Sequence, residues 1–107
     1  MKTLLIVLGL IFSSFASAGD LKSFHLIIKD GVFDPSTLKV PVGEKFNVEI
    51  QNKGSSAEEF ESVELNREKV IAPGKSVTLF LGPLSKGEYK FFGDFHKDTA
   101  RGKLIAQ

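Results

Sequence analysis

The chain has no cysteine and no tryptophan, and only one methionine and one tyrosine. Without cysteine there is no disulfide, no thiolate ligand for a metal and no lipid anchored through a cysteine. Exported domains of this size often lean on disulfides because a small core is only marginally stable. This one must hold together by burial alone. Long apolar runs are also missing. The longest, Leu4 to Phe12, is broken only by Gly9 and is roughly half of what a bilayer-spanning helix needs. An excess of one charge is absent too, with 14 Lys and Arg against 13 Asp and Glu. Nucleic-acid binding, which needs a basic excess or stripe, is therefore not expected. No nucleophile–base pair, phosphate-cradling glycine loop or cysteine–histidine zinc pattern occurs. No internal repeat or low-complexity tract stands out either.

What is present begins with an export signal. Lys2 supplies a positive start, the apolar run follows, and Ala16-Ser17-Ala18 reads as a small-residue cleavage site. Residues 1–18 are expected to be a signal peptide removed after Ala18. A single domain of 107 − 18 = 89 residues then runs from 19 to 107, exported to the periplasm and not itself membrane-spanning. Loss of Lys2 leaves 13 basic against 13 acidic residues, a net charge near zero. Eight of the ten phenylalanines lie at Phe24 or beyond. Each can bury roughly 150–250 Å², which makes a disulfide-free core feasible.

The patterning after Ala18 has period two and is punctuated by glycine and proline. Phe24, Leu26 and Ile28 share one face of a first strand, with His25 on the other and so at the surface. Asp30-Gly31 is a turn signal. Leu38, Val40 and Val42 alternate, and Pro41 marks an edge or a bend. Phe46, Val48 and Ile50 alternate again, as do Val77, Leu79 and Leu81 after Pro73-Gly74. Tyr89 and Phe91 open a late strand, and Gly102 to Ala106 close the chain. About eight short strands with no convincing helix predict an antiparallel sandwich or barrel. The segment from Phe60 to Lys69 is ambiguous between a helical turn and a strand with an irregular entry.

Two stretches carry a resemblance. Phe33-Asp34-Pro35, Leu38, Val40, Gly43, Phe46, Val48 and Asn52, then Gly87 to His96 and Gly102, resemble the two halves of cupredoxins. That likeness implies an all-β, Greek-key sandwich. In blue-copper cupredoxins the closing stretch reads Tyr-x-Phe-x-Cys-x-x-His, with a methionine some five residues on. Here Gly93 stands at the cysteine position, His96 at the histidine, and Ala100 or Arg101 at the methionine. Glu58, ahead of Phe60, stands where the family's other histidine belongs. A blue-copper centre needs a thiolate with two imidazoles, and this sequence does not supply them. The run from Glu58 to Val70, with Phe91 to Ala100, is similar to small periplasmic cupredoxin-like proteins associated with bacterial iron permeases. That similarity implies handling of an iron or copper ion and an inner-membrane iron permease, with its periplasmic accessory proteins, as partner.

The same likeness brings the loop before Phe60 and the loop around His96 to one end of the sandwich. The candidate metal ligands are His96, Glu58, Asp94, Glu59 and Glu61. Alternation sets Glu58 and Phe60 on one side of their strand and Glu59 and Glu61 on the other. Carboxylates with one imidazole suit oxygen-preferring cations, ferric iron included, better than Cu(I). Asp98 is expected to close an Asx-turn onto Thr99 or Ala100. Phe92 and Phe95 are candidates for an exposed apolar rim. The reading that follows is a metal-binding accessory of iron or copper uptake. The alternatives are a ferroxidase acting on ferrous iron before transport, and a metal-free interaction domain.

Overall fold

The computed structural model describes residues 21–107, so the expected signal peptide and its cleavage site lie outside the described residues. Nine strands and one short 3-10 turn follow one another: β1 (Lys22–Lys29), β2 (Val32–Asp34), β3 (Thr37–Val40), β4 (Phe46–Asn52), β5 (Glu58–Ser62), β6 (Arg67–Ile71), β7 (Ser76–Leu81), β8 (Gly87–Phe92), the turn Asp94–His96, and β9 (Arg101–Ala106). They form two sheets, ordered β2-β1-β4-β7 and β3-β9-β8-β5-β6. No helix among the described residues is long and apolar enough to cross a membrane.

Local chemistry explains most of these boundaries. Asp30 and Gly31 both adopt positive φ, 51° and 74°, as a two-residue hairpin between β1 and β2 requires. β3 stops before Pro41 and lies at a sheet edge. The ambiguous segment resolves into β5, a turn through Asn66 at φ 56°, and β6. One expectation is corrected. The sandwich is not purely antiparallel: β1 runs parallel to β4, and β3 parallel to β9. Alternation reports which side chains face inward but says nothing of which strands pair or in what direction.

The core lies between the sheets. Phe33, Phe60 and Phe91 meet there, with Phe33 edge-on to both others at centroid distances of 6.1 and 5.0 Å. Such contacts add about 0.5–1.5 kcal/mol each beyond burial. Asn52 is fully buried at the end of β4 and shapes the loop that leads into β5. Its Nδ2 donates to the carbonyls of Ser56 and Ile71 at 2.8 and 2.9 Å, while its Oδ1 accepts from Gly54 N–H at 2.9 Å.

Candidate metal centre

β5 presents Glu58, Phe60 and Ser62 to the interior and Glu59 and Glu61 to the outer face of its sheet. An outward side chain is normally wet, yet Glu59 is only 4% exposed. The cover is the loop after β8. Gly93 N–H donates to the Ala100 carbonyl at 2.8 Å, closing a loop whose 3-10 turn lies against β5. The N–H groups of Thr99 and Ala100 both donate to the His96 carbonyl, at 3.2 and 2.8 Å. The expected Asx-turn at Asp98 is therefore not what closes the loop; backbone does.

Glu58 is fully buried and both of its oxygens are engaged. Oε2 accepts Gly31 N–H at 3.0 Å, and Oε1 lies 2.9 Å from His96 Nδ1. With Glu58 as a carboxylate, which can only accept, this contact requires the proton on His96 Nδ1. That leaves Nε2 on a side chain 42% exposed. Thr99 Oγ1 donates to the Gly31 carbonyl at 2.6 Å, tying the same hairpin turn to the loop. Gly31 is tightly fitted as well as left-handed, since a Cβ there would sit 2.9 Å from His96 Cγ.

A second group lies on the other side of β5. One oxygen each from Glu59, Glu61 and Asp94 lie within 4.8 Å of one another. Asp94 N–H donates to Glu59 Oε1 at 3.0 Å. Burial pushes the Glu59 carboxyl up to about 7, helped by a hydrogen bond with Glu68 and by the charges of Glu61 and Asp94. The Asp94 N–H opposes that shift. Glu59 is therefore about half protonated near neutrality, and its hydrogen bond with Glu68 favours the protonated form.

The five candidate ligands thus separate into two sets. Glu58 and His96 are brought into direct contact, with one hydrogen bond on each Glu58 oxygen, from Gly31 and from His96. Glu59, Glu61 and Asp94 converge elsewhere, so a single five-residue site does not form. The cause is the strand's alternation, which the loop does not undo. Three participants were not legible as candidates: Gly31, Thr99 and Glu68. For Glu68 the signal existed only in the register of β5 with β6, where it faces Glu61.

Blue-copper chemistry does not fit these residues. Beyond the missing thiol, a Cβ on Gly93 would lie 2.8 Å from the Ala100 Cβ and 3.1 Å from the Glu59 carbonyl oxygen. Ala100 is itself completely buried and cannot retreat. Gly93→Cys should therefore cost about 1–3 kcal/mol by overpacking. With Glu58 in place of a second imidazole, it should also give no intense visible band with Cu(II). Denaturant titration and an absorption spectrum check both; a strong thiolate–copper band would show that the loop can reopen.

A two-sheet sandwich whose loop end offers carboxylates and one imidazole, with no thiolate, defines a cupredoxin-type domain without a blue-copper site. The chain belongs to the cupredoxin-like domain family, whose model matches residues 2–106. A relative from Rickettsia prowazekii (strain Madrid E), named uncharacterized protein RP394, is 45% identical over 80 residues, covering 75% of this chain. The chain spans 64% of that relative's length. Among solved structures, reduced auracyanin from Roseiflexus castenholzii superposes with a TM-score of 0.69 at 14% identity, over 83% of this chain and 99% of its own. The purple cupredoxin of Nitrosopumilus maritimus gives 0.61 at 19% identity, over 78% and 99%. These likenesses define the fold.

Proposed function

We propose that the protein is a periplasmic metal-binding accessory of iron or copper uptake, exported by its first 18 residues, that presents a hard cation to an inner-membrane permease. The cation is cargo, held by Glu59, Glu61 and Asp94. Glu58 and His96 hold the covering loop in place, with His96 Nε2 available at its surface. The observation that carries this reading is the convergence of three carboxylates within 4.8 Å around a buried Glu59. Like charges this close are costly unless a proton or a cation sits among them. An all-oxygen set favours ferric iron and other hard ions, whereas Cu(II) binds nitrogen and oxygen donors of almost any kind.

Isothermal titration of the purified protein with Fe(III) supplied as its nitrilotriacetate chelate, and separately with Cu(II), tests the assignment. Glu59→Gln combined with Asp94→Asn removes two of three anionic donors and should weaken binding by at least about tenfold. Because a cation must displace the Glu59 proton, affinity should rise with pH up to about 7 and then level off. Unchanged affinity in the double variant would move the site elsewhere.

A further inference from the structure

The outer face of the five-stranded sheet is divided by charge in a way that net charge conceals. Across β5 and β6 it carries Glu59, Glu61 and Glu68. Across β8 and β9 it carries Lys90, Arg101 and Lys103. The register places Lys90 directly opposite Lys103, and Thr37 of β3 opposite Lys103 on the other side. Arg101 precedes Lys103 by two residues and therefore shares its face. Two like charges directly opposite each other destabilise a sheet unless something neutralises them. Lys103 has partial relief, with its Nζ 3.4 Å from Glu88 Oε1. Among the described residues, Lys90 and Arg101 form no ion pair. The nearby Glu64 carboxylate accepts the Lys90 backbone N–H at 3.3 Å and does not pair with its ammonium.

These cations do not stand on a flat surface. With Ser36, Thr37, Phe91 and Gly102 they line a groove of about 370 Å³ where β3 begins to pair with β9. Gly102 has no room for a side chain: a Cβ would lie 2.6 Å from the Ser36 carbonyl oxygen and 2.5 Å from Phe91 Cζ. Gly102 lies opposite Phe91 and its Cβ direction is toward the core, so only its backbone meets the groove between the outward Arg101 and Lys103, with two hydroxyl-bearing residues along the wall.

We infer that this groove, formed by Lys90, Arg101, Lys103, Ser36 and Thr37 around Gly102, binds a small multivalent oxyanion. A planar guanidinium and two ammonium groups are donor-only and cationic, and two hydroxyls can add donors, a set suited to phosphate or to a di- or tricarboxylate. The inference is independent of the metal reading, although the two sites are neighbours. Arg101 faces Phe92, which faces Glu61, so two strand spacings of about 4.8 Å separate the groove from the carboxylates.

Amide spectra of the purified protein, titrated with sodium phosphate and with sodium citrate at constant ionic strength, provide the test. Saturable shifts are expected at Thr37, Lys90, Gly102 and Lys103, with chloride giving none. A response to phosphate alone or citrate alone identifies the source; a response to both identifies a general oxyanion site. Arg101→Gln and Lys90→Gln should each weaken binding by about tenfold or more. Lys75→Gln, in the turn before β7, should leave it unchanged. Lys90→Gln also removes the repulsion with Lys103, so its melting temperature should equal or exceed the parent's, which separates lost binding from lost fold. Non-saturating shifts, equal shifts in chloride, or equal weakening by Lys75→Gln would each overturn the inference.

Discussion

Glu58→Ala should lower the stability of the protein by about 3 kcal/mol, more than His96→Ala, which should cost about 1–2 kcal/mol. The order follows from burial. Removing Glu58 leaves the Gly31 N–H without its acceptor in a sealed position, strips His96 of its partner and opens a void against the core. Removing His96 leaves the Glu58 carboxylate with its Gly31 bond, and water can reach the vacated side because the ring was 42% exposed. Denaturant midpoints at fixed pH, with m-values checked for constancy, give both numbers. If His96→Ala proved the more damaging, the ring would be holding the loop through contacts other than Glu58. Glu58→Gln keeps the volume but turns one of the two acceptor atoms into a donor, so its loss reports the charge together with one mismatched hydrogen bond.

The second large effect is a pH dependence traceable to one residue. The Glu59 carboxyl rises from an ordinary 4.5 to about 7 in the folded protein. Between those values the native state binds a proton that the unfolded chain has released. Stability contributed by that proton is present below pH 4.5 and is lost as pH rises through about 7. The difference amounts to a few kcal/mol at most, since one pKa unit corresponds to about 1.4 kcal/mol. Glu59→Gln, neutral at every pH, should be the more stable protein at pH 8 and should flatten the profile between pH 5 and 7. Its carbonyl can still accept the Asp94 N–H, and its amide can donate to Glu68. Melting curves of metal-free protein across that range supply the measurement. An equal slope in both proteins would place the titration at another group.

The parts of this molecule that were legible in the sequence are those encoded within a few residues. Leu26 and Ile28, or Phe46, Val48 and Ile50, declare their inward faces by alternation alone, and all are buried. Asp30-Gly31 declares its turn through the left-handed backbone those residues tolerate. Glu58 and His96 were paired through family likeness, and the structure sets them 2.9 Å apart. The division of the acidic residues was half legible. Alternation put Glu59 and Glu61 opposite Glu58, but only the loop from Gly93 to Ala100 buries Glu59 and brings Asp94 to it. Wholly illegible were the parallel pairings and the facing of Lys90 by Lys103. Both depend on register between segments distant in sequence, which no local pattern states.

The position of β9 bears on how the molecule assembles. Among the described residues β9 is made after the other eight strands, yet it lies inside its sheet, between β3 and β8. Until Arg101–Ala106 is available, β3 has no neighbour in that sheet and β8 keeps an open edge. The pairing of Thr37 with Lys103 spans most of the domain, and closing so long a loop makes folding slow. The nascent chain therefore cannot complete its second sheet from one end to the other; a vacant slot persists until the final segment inserts and the two halves of the domain close together.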